Sequence, residues 1–211
     1  NHAVNMYGLK DNVARKAGTM GKEENKEMEF WTQEEFQAFL EFVADKPISY
    51  FAFEMLYWTG IREGELLALT PADFNFEKKT LRINKSYQRL EEKDVITDPK
   101  TPKSNRTIVM PDFLAVEMED FISSLYGIKD DDRIFTISKS YLHHEMDRGA
   151  KLAGVKRIRI HGLRHSHISL LIDLGFSALA IGERVGHEAV DITYHYAHLF
   201  PTVQTDMAAQ L

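Results

Sequence analysis

Three short segments of this sequence hold residue types that could act on an anion. In Thr59-Gly60-Ile61-Arg62-Glu63-Gly64-Glu65-Leu66, Arg62 follows a helix-ending glycine and opens the next helix. A guanidinium there faces solvent or a ligand, and free backbone N–H groups add to an anion site. In His161-Gly162-Leu163-Arg164-His165, a helix puts His161 and Arg164 on one face. A bidentate guanidinium with an imidazole donor is a set that suits phosphate. Gly186-His187 is followed nine residues later by Tyr196, within Tyr194-His195-Tyr196-Ala197-His198. An activated tyrosine hydroxyl is a nucleophile. Each segment also has a plain structural reading: a surface arginine paired with Glu63 or Glu65, a core histidine, a packing tyrosine.

The elements that must position these residues are mostly helical. Thr32 and Glu35 form a capping box ahead of a helix through Phe36, Phe39, Leu40 and Val43, which Pro47 closes. A largely apolar second helix runs from about Ser49 to Thr59 and stops at Gly60, and a short third one ends before Pro71. The period then changes to two. Strands are predicted over 80–83, 86–90 and 106–110, with a loop at 98–104. Helices return at roughly 112–125, 139–153, 161–174, 177–186 and 188–197. The expected class is α+β, mainly helical, with a small three-stranded antiparallel sheet.

Composition narrows the chemistry. The chain has 211 residues, 44% of them hydrophobic and 27% charged, which is enough for one core and excludes wholesale disorder. No apolar run has the ~18 residues of a membrane span. Cysteine is absent, so disulfides, thiolate metal sites and cysteine nucleophiles are excluded. There is no secretory segment at the start, and a cytoplasmic setting is compatible. The net charge of −6 argues weakly against nucleic acid, but the charges are uneven. Nine acids fall between Glu23 and Glu54, whereas residues 150–167 hold Lys151, Lys156, Arg157, Arg159 and Arg164 and no acid. One face can be basic on an acidic chain.

Taken in order, the segments resemble the catalytic domain of the tyrosine recombinases, the phage-integrase family. Its signature is an arginine in a TGxRxxEL-like turn, a lysine in a β-hairpin, HxxR, a Gly-His, and a tyrosine about nine residues on. Here these are Thr59-Gly-Ile-Arg62-Glu-Gly-Glu-Leu66, a hairpin lysine, His161-Gly-Leu-Arg164, Gly186-His187 and Tyr196. Leu199-Phe200-Pro201 resembles integrases of conjugative transposons and of temperate phages of Gram-positive bacteria. The match spans roughly residues 29 to 200.

The resemblance implies a site-specific recombinase acting on double-stranded DNA in the cytoplasm, at a bacterial nucleoid, to integrate or excise a mobile element. Tyr196 would form a 3′-phosphotyrosyl bond. Arg62 and Arg164 would hold the non-bridging oxygens, His161 would assist as donor or base near Tyr196, and His187 would stabilise the phosphorane. Glu65 would support the arginine or histidine. A hairpin lysine would protonate the leaving 5′-oxygen. The family works without metal or other cofactor.

The hairpin loop offers Lys100, followed by threonine as in the family, and Lys103, favoured by counting back from Pro111. Tyr194 rivals Tyr196, but residues two apart on a helix lie about 200° apart, so only one can face the phosphate. Residues 1–22 read as the end of a missing N-terminal core-binding domain plus linker, and 23–211 as the catalytic domain with a C-terminal tail from about Leu199. The family's active assembly, a homotetramer on two DNA sites, would be joined through that tail. Two rival readings stand beside this one: a DNA-binding recombinase-like module without catalysis, and a metal enzyme using His161, His165 and His167.

Overall fold

The computed structural model describes residue 10 and residues 28–98, 104–187, 189–196 and 199, the side chains of 189 and 193–195 apart. The predicted end of an N-terminal domain, Lys100, Lys103 and nearly all of the C-terminal tail lie outside the described residues.

The chain builds its helical layer from capped starts and glycine stops. Thr32 Oγ1 accepts the Glu35 N–H at 3.3 Å while Glu35 accepts the Thr32 N–H at 2.9 Å, which starts α1 (Gln33–Glu41). Pro47 opens α2 (Pro47–Thr59) and does not close the helix before it: a proline's missing N–H is lost at no cost in a first turn. Gly60, at φ 64, caps α2, and a Cβ there would lie 2.5 Å from the His167 ring. Both facts restrict the position to glycine. Arg62 is the N-cap of α3 (Glu63–Leu66).

The β region is split. β1 (Phe74–Asn75), β2 (Thr80–Ile83) and β5 (Arg106–Val109) form an antiparallel sheet in the order β1-β2-β5. β3 (Ser86–Leu90) and β4 (Lys93–Thr97) form a separate hairpin in full register, Ser86 opposite Thr97 and Leu90 opposite Lys93. The expected sheet therefore has three strands, but 74–75 takes the place predicted for 86–90. Lys93–Thr97 escaped prediction because its residues run polar, polar, apolar, apolar, polar and so do not alternate.

Five helices follow: α4 (Asp112–Ser124), α5 (Lys139–Ala153), α6 (Ile160–Asp173), α7 (Ala178–Val185) and α8 (Ala189–Tyr196). The main core lies between α1, α2, α4, α5 and the sheet, with Phe36 stacked on Tyr57 and Phe39 against Phe53 edge to face. Trp31 anchors the approach to α1: its indole N–H donates to the Lys156 carbonyl and its backbone N–H to Ser166. A smaller core of Ile168, Ile172, Ile181, Val185, Ile192 and Tyr196 joins α6, α7 and α8. Among the described residues no helix is long and apolar enough to cross a membrane.

One buried acid opposes the fold as pH rises. Glu54, on α2, has its pKa pushed up to about 8 by burial and then by the nearby charge of Glu117. The native state keeps its proton up to that pH, whereas an unfolded chain releases it near the ordinary value. Stability therefore falls as pH climbs between the two. Glu54→Gln is expected to gain stability over the wild type of about 3–5 kcal/mol at pH 8 and nothing at pH 4. Urea melts at the two pH values check this, and an equal gap at both would refute it.

Candidate active site

The site lies where the ends of α2 and α7 meet the first turns of α6. Arg164 sits on α6 and is 1% exposed. One guanidinium N–H donates to the Gly60 carbonyl, past the end of α2, and another to the Val185 carbonyl, at the end of α7. Both are helix C-terminal carbonyls that lack partners in their own helices, and the negative helix ends favour a cation there. Burial and then the Arg62 charge lower the Arg164 pKa to about 9, so it is still cationic at neutral pH. Its Nε makes no hydrogen bond among the described residues.

Arg62 is held from the other side. Its backbone N–H donates to Glu65 Oε2 at 2.9 Å, its Nη1 to Glu65 Oε1 at 2.8 Å, and its Nη2 reaches the Gly186 carbonyl at 3.5 Å. Roughly a third of the side chain stays open to solvent, at 35%. Glu65 is 5% exposed and is shared with a second arginine. Arg106 donates to both of its carboxylate oxygens, at 3.2 and 2.9 Å. Burial pushes the Glu65 pKa up, but the hydrogen bonds and charge of Arg106, followed by Arg62, hold it below its ordinary value.

Arg106 was not among the residues singled out from the sequence. From β5 its guanidinium reaches three segments: Glu65, the Arg184 carbonyl at 2.9 Å, and the Ser104 carbonyl at 3.1 Å. It thus ties the Arg62 turn, the end of α7 before His187, and the chain leaving the Lys100–Lys103 loop. The alternation of β5 carried the signal: Arg106 and Ile108 share the inward face, and a charged residue inward on a strand demands a buried partner. Removing one partner of such a pair costs about 3–5 kcal/mol. Arg106→Met is accordingly expected to lower the melting midpoint sharply, and Glu65→Gln, Arg106→Met together less than the sum of the two. Additive losses in that double-mutant cycle would refute the coupling.

His187 follows Gly186, which caps α7 at φ 72. It is half-buried, and burial with the charges of Arg164 and Arg62 lowers its pKa to about 4, so its ring is neutral at pH 7. His161, in the first turn of α6, is open to solvent at the site's mouth. Its protein surroundings, then Arg164 and Arg62, lower its pKa too.

Tyr196 ends α8 and is 3% exposed. Burial raises the pKa of its hydroxyl, and the charge of Arg164 works against that rise. The hydroxyl is hydrogen-bonded to Nδ1 of His165, not to His161. The two imidazoles meet edge to face, ring centres 4.8 Å apart. His165 entered the sequence reading only as a metal-ligand rival; its position one turn after His161 is what brings it to Tyr196. His167 faces away. It is buried, its pKa is lowered to about 3 by burial and then by Arg184, and its Nε2 accepts from Arg184 Nε at 3.0 Å. Among the described residues no three His, Asp or Glu side chains are grouped to hold a metal.

The structure therefore brings Arg62, Glu65, His161, Arg164, His187 and Tyr196 to one end of the helical layer. Lys100, Lys103 and the Tyr194 side chain fall outside the described residues. The predicted basic stretch is partly neutralised at the surface: Arg157 pairs with Asp147 at 2.7 Å and Lys156 lies 3.8 Å from Glu35.

Comparison with known proteins gives the family and the fold. Residues 29–202 match the phage integrase family. The chain is 32% identical to the ICEBs1 integrase of Bacillus subtilis strain 168, over 95% of this chain and 57% of that protein. It is 30% identical to the integrase of Staphylococcus phage L54a, over 76% of this chain and 50% of that one. The chain thus spans about half the length of these relatives. Its fold is similar to that of the Tn1549 transposon integrase (residues 82–397), solved in complex with circular intermediate DNA. The TM-score is 0.75 at 22% identity, covering 89% of this chain and 67% of that one. It is also similar to the catalytic domain of bacteriophage HP1 integrase, with a TM-score of 0.61 at 19% identity, covering 88% and 95%. Matched by the family over most of its length, and by an integrase at 32% identity, the chain belongs to the phage integrase family of tyrosine recombinases.

Proposed function

We propose that this chain is the catalytic part of a site-specific DNA recombinase, an integrase that cleaves and rejoins strands through a 3′-phosphotyrosyl intermediate. The observation that carries this reading is the Tyr196 hydroxyl, held by His165 on the same helix as the buried Arg164. Arg62 and Arg164 bear on the phosphate from two sides, and their charge is worth most where negative charge grows on the non-bridging oxygens. Neutral His187 and His161 donate hydrogen bonds to those oxygens.

The step balances without another reactant. The Tyr196 oxygen bonds to phosphorus as the bond from phosphorus to the 5′-oxygen breaks. The phenol proton passes to His165, and a lysine of the 98–104 loop, Lys100 or Lys103, gives a proton to the leaving oxygen. The phosphotyrosyl ester keeps the energy of the broken bond, so a 5′-hydroxyl from another strand reverses the step. We place His165 as the proton acceptor on the strength of its contact with the hydroxyl. General-base catalysis is worth about 10²–10⁴-fold, so His165→Ala is expected to slow adduct formation by that factor, and His161→Ala by less. Single-turnover cleavage of a 5′-bridging phosphorothiolate strand isolates this step, since its leaving group needs no lysine. A larger loss in His161→Ala than in His165→Ala would return the role to His161.

The net charge of −6 fits a chain that receives part of its grip on DNA from elsewhere in a longer protein. A preceding core-binding domain and a homotetramer on two DNA sites, joined through the C-terminal tail, complete the proposal. Covalent trapping tests it: supercoiled plasmid, chelator, an SDS quench, and mass spectrometry for a nucleotide-linked tyrosine. An adduct on Tyr196 is the expected result. An adduct on Tyr194 would move the nucleophile. No adduct on nicked site DNA with the full-length protein would favour a binding module without catalysis.

A further inference from the structure

A second cavity lies on another part of the helical layer. α1, α2 and α4 border an open cavity of about 520 Å³, lined in part by Leu40, Tyr50, Glu54, Trp58, Phe113 and Glu117. None of the phosphate-site residues borders it. The volume is in the range of small-ligand sites, about 300–1,000 Å³.

Three of its polar atoms lack partners. Glu54 is 4% exposed, and its Oε2 makes no hydrogen bond among the described residues; the same holds for Glu117 Oε2 and the Trp58 indole nitrogen. A buried carboxyl oxygen without a donor is costly, and natural interiors seldom leave one. No lysine or arginine lines the cavity to supply the missing charge. The electrostatics record the same deficit. Each acid resists ionisation through burial, Glu54 also through the charge of Glu117, and the two acids together with burial push the Tyr50 phenol up to about 12. Only the Trp58 indole favours the Glu54 anion, without a hydrogen bond of good geometry.

The walls define what would supply the charge. Trp58 and Phe113 meet edge to face, ring centres 5.3 Å apart, with Tyr50 and Leu40 adding apolar surface. Aromatic faces attract organic cations, and carboxylates pair with ammonium and guanidinium heads. A hard metal ion wants six or more oxygens, and although Glu41 also borders the cavity, no three acids among the described residues are grouped to hold one. An anion finds no cationic partner here, whereas a cation favours the ionised form of both acids and so draws the proton off Glu54. We propose that this cavity binds an alkyl chain ending in an ammonium or guanidinium group, its stem against Tyr50, Trp58 and Phe113 and its head between Glu54 and Glu117. That chemistry is carried either by a lysine or arginine of a partner protein or by a free polyamine.

The test is a titration of the whole chain followed by tryptophan fluorescence. The chain has two tryptophans, and Trp31 is fully buried with its indole on the Lys156 carbonyl, so Trp58 reports the cavity. The probes are Nα-acetyl-arginine amide, spermidine and the neutral Nα-acetyl-citrulline amide. The two cations are expected to give a saturable change, at least about tenfold tighter than citrulline, which is the discrimination one good charged contact supplies. Tighter binding of the arginine derivative would assign a partner's side chain, and tighter binding of spermidine a free polyamine. Glu54→Gln and Glu117→Gln should each weaken the cations about tenfold, in variants whose circular dichroism melts show that they fold. Citrulline binding as tightly as the cations, affinity unchanged in the Glu54→Gln, Glu117→Gln double variant, or no saturation up to about 10 mM would each overturn the proposal. The outcome is independent of covalent trapping on DNA.

Discussion

Tyr196→Phe is expected to abolish the covalent DNA adduct, a loss on the order of 10⁴-fold or more in strand cleavage, the scale set by removing a nucleophile. Phenylalanine keeps the ring that packs among Ile168, Ile172, Ile181, Val185 and Ile192, and loses only the oxygen bonded to His165. The fold should lose about 1 kcal/mol, the worth of one hydrogen bond. DNA affinity should stay within about twofold, because the hydroxyl is buried and contributes little to grip. Tyr194→Phe is the paired control and should cleave at the wild-type rate. The measurement is SDS-stable adduct against time on nicked site DNA, with affinity read by gel shift on the same samples. A persisting adduct in Tyr196→Phe would remove that residue from the mechanism.

Arg164 should show the second large effect, and one that divides between chemistry and folding. Arg164→Ala takes a buried cation from between the Gly60 and Val185 carbonyls and leaves both without their donor. Each unsatisfied buried group costs about 1–3 kcal/mol, so a drop in stability of about 2–5 kcal/mol is expected. That loss alone would slow cleavage without touching the chemistry. Arg164→Lys separates the effects. It restores the charge but cannot fork to two carbonyls and a phosphate at once. It should recover part of the stability while cleavage stays down by about 10²–10³-fold, the scale for one donor aimed at developing charge. Denaturant melts and single-turnover rates on both variants decide the matter. A lysine variant that cleaves like the wild type would confine Arg164 to holding helix ends.

Much of this molecule was legible from residue order alone, and the reason is local chemistry. The capping box at Thr32 and Glu35, the stop at Gly60, and the change of period at Thr80 each act within a few residues. The spacing of His161 and Arg164 shows that they share a helical face, because helix geometry sets it. Family membership follows from the ordered set of Arg62, HxxR, Gly-His and tyrosine, which folding need not be known to recognise.

What the order of residues leaves undetermined depends on contacts made far along the chain. Phe74–Asn75 joins the sheet, and Ser86–Leu90 leaves it for a hairpin, because pairing is set by partners and not by one strand's pattern. His165 and Tyr196 are thirty-one positions apart, and only the packing of α8 brings the phenol to Nδ1 of that ring. Arg106 and Glu65 are forty-one apart, and their pairing joins three site segments that the sequence presents as unrelated. The cavity around Glu54 is plainer still. Glu54 and Glu117 lie on two helices, α2 and α4, and neither helix's own pattern shows that the two acids meet. The sequence by itself determined the helices, most of the turns and the family, since these rest on neighbours in the chain and on the order of short motifs. The tertiary structure alone decided which imidazole meets the hydroxyl and which acids lack a partner, because burial and proximity are properties of packed elements.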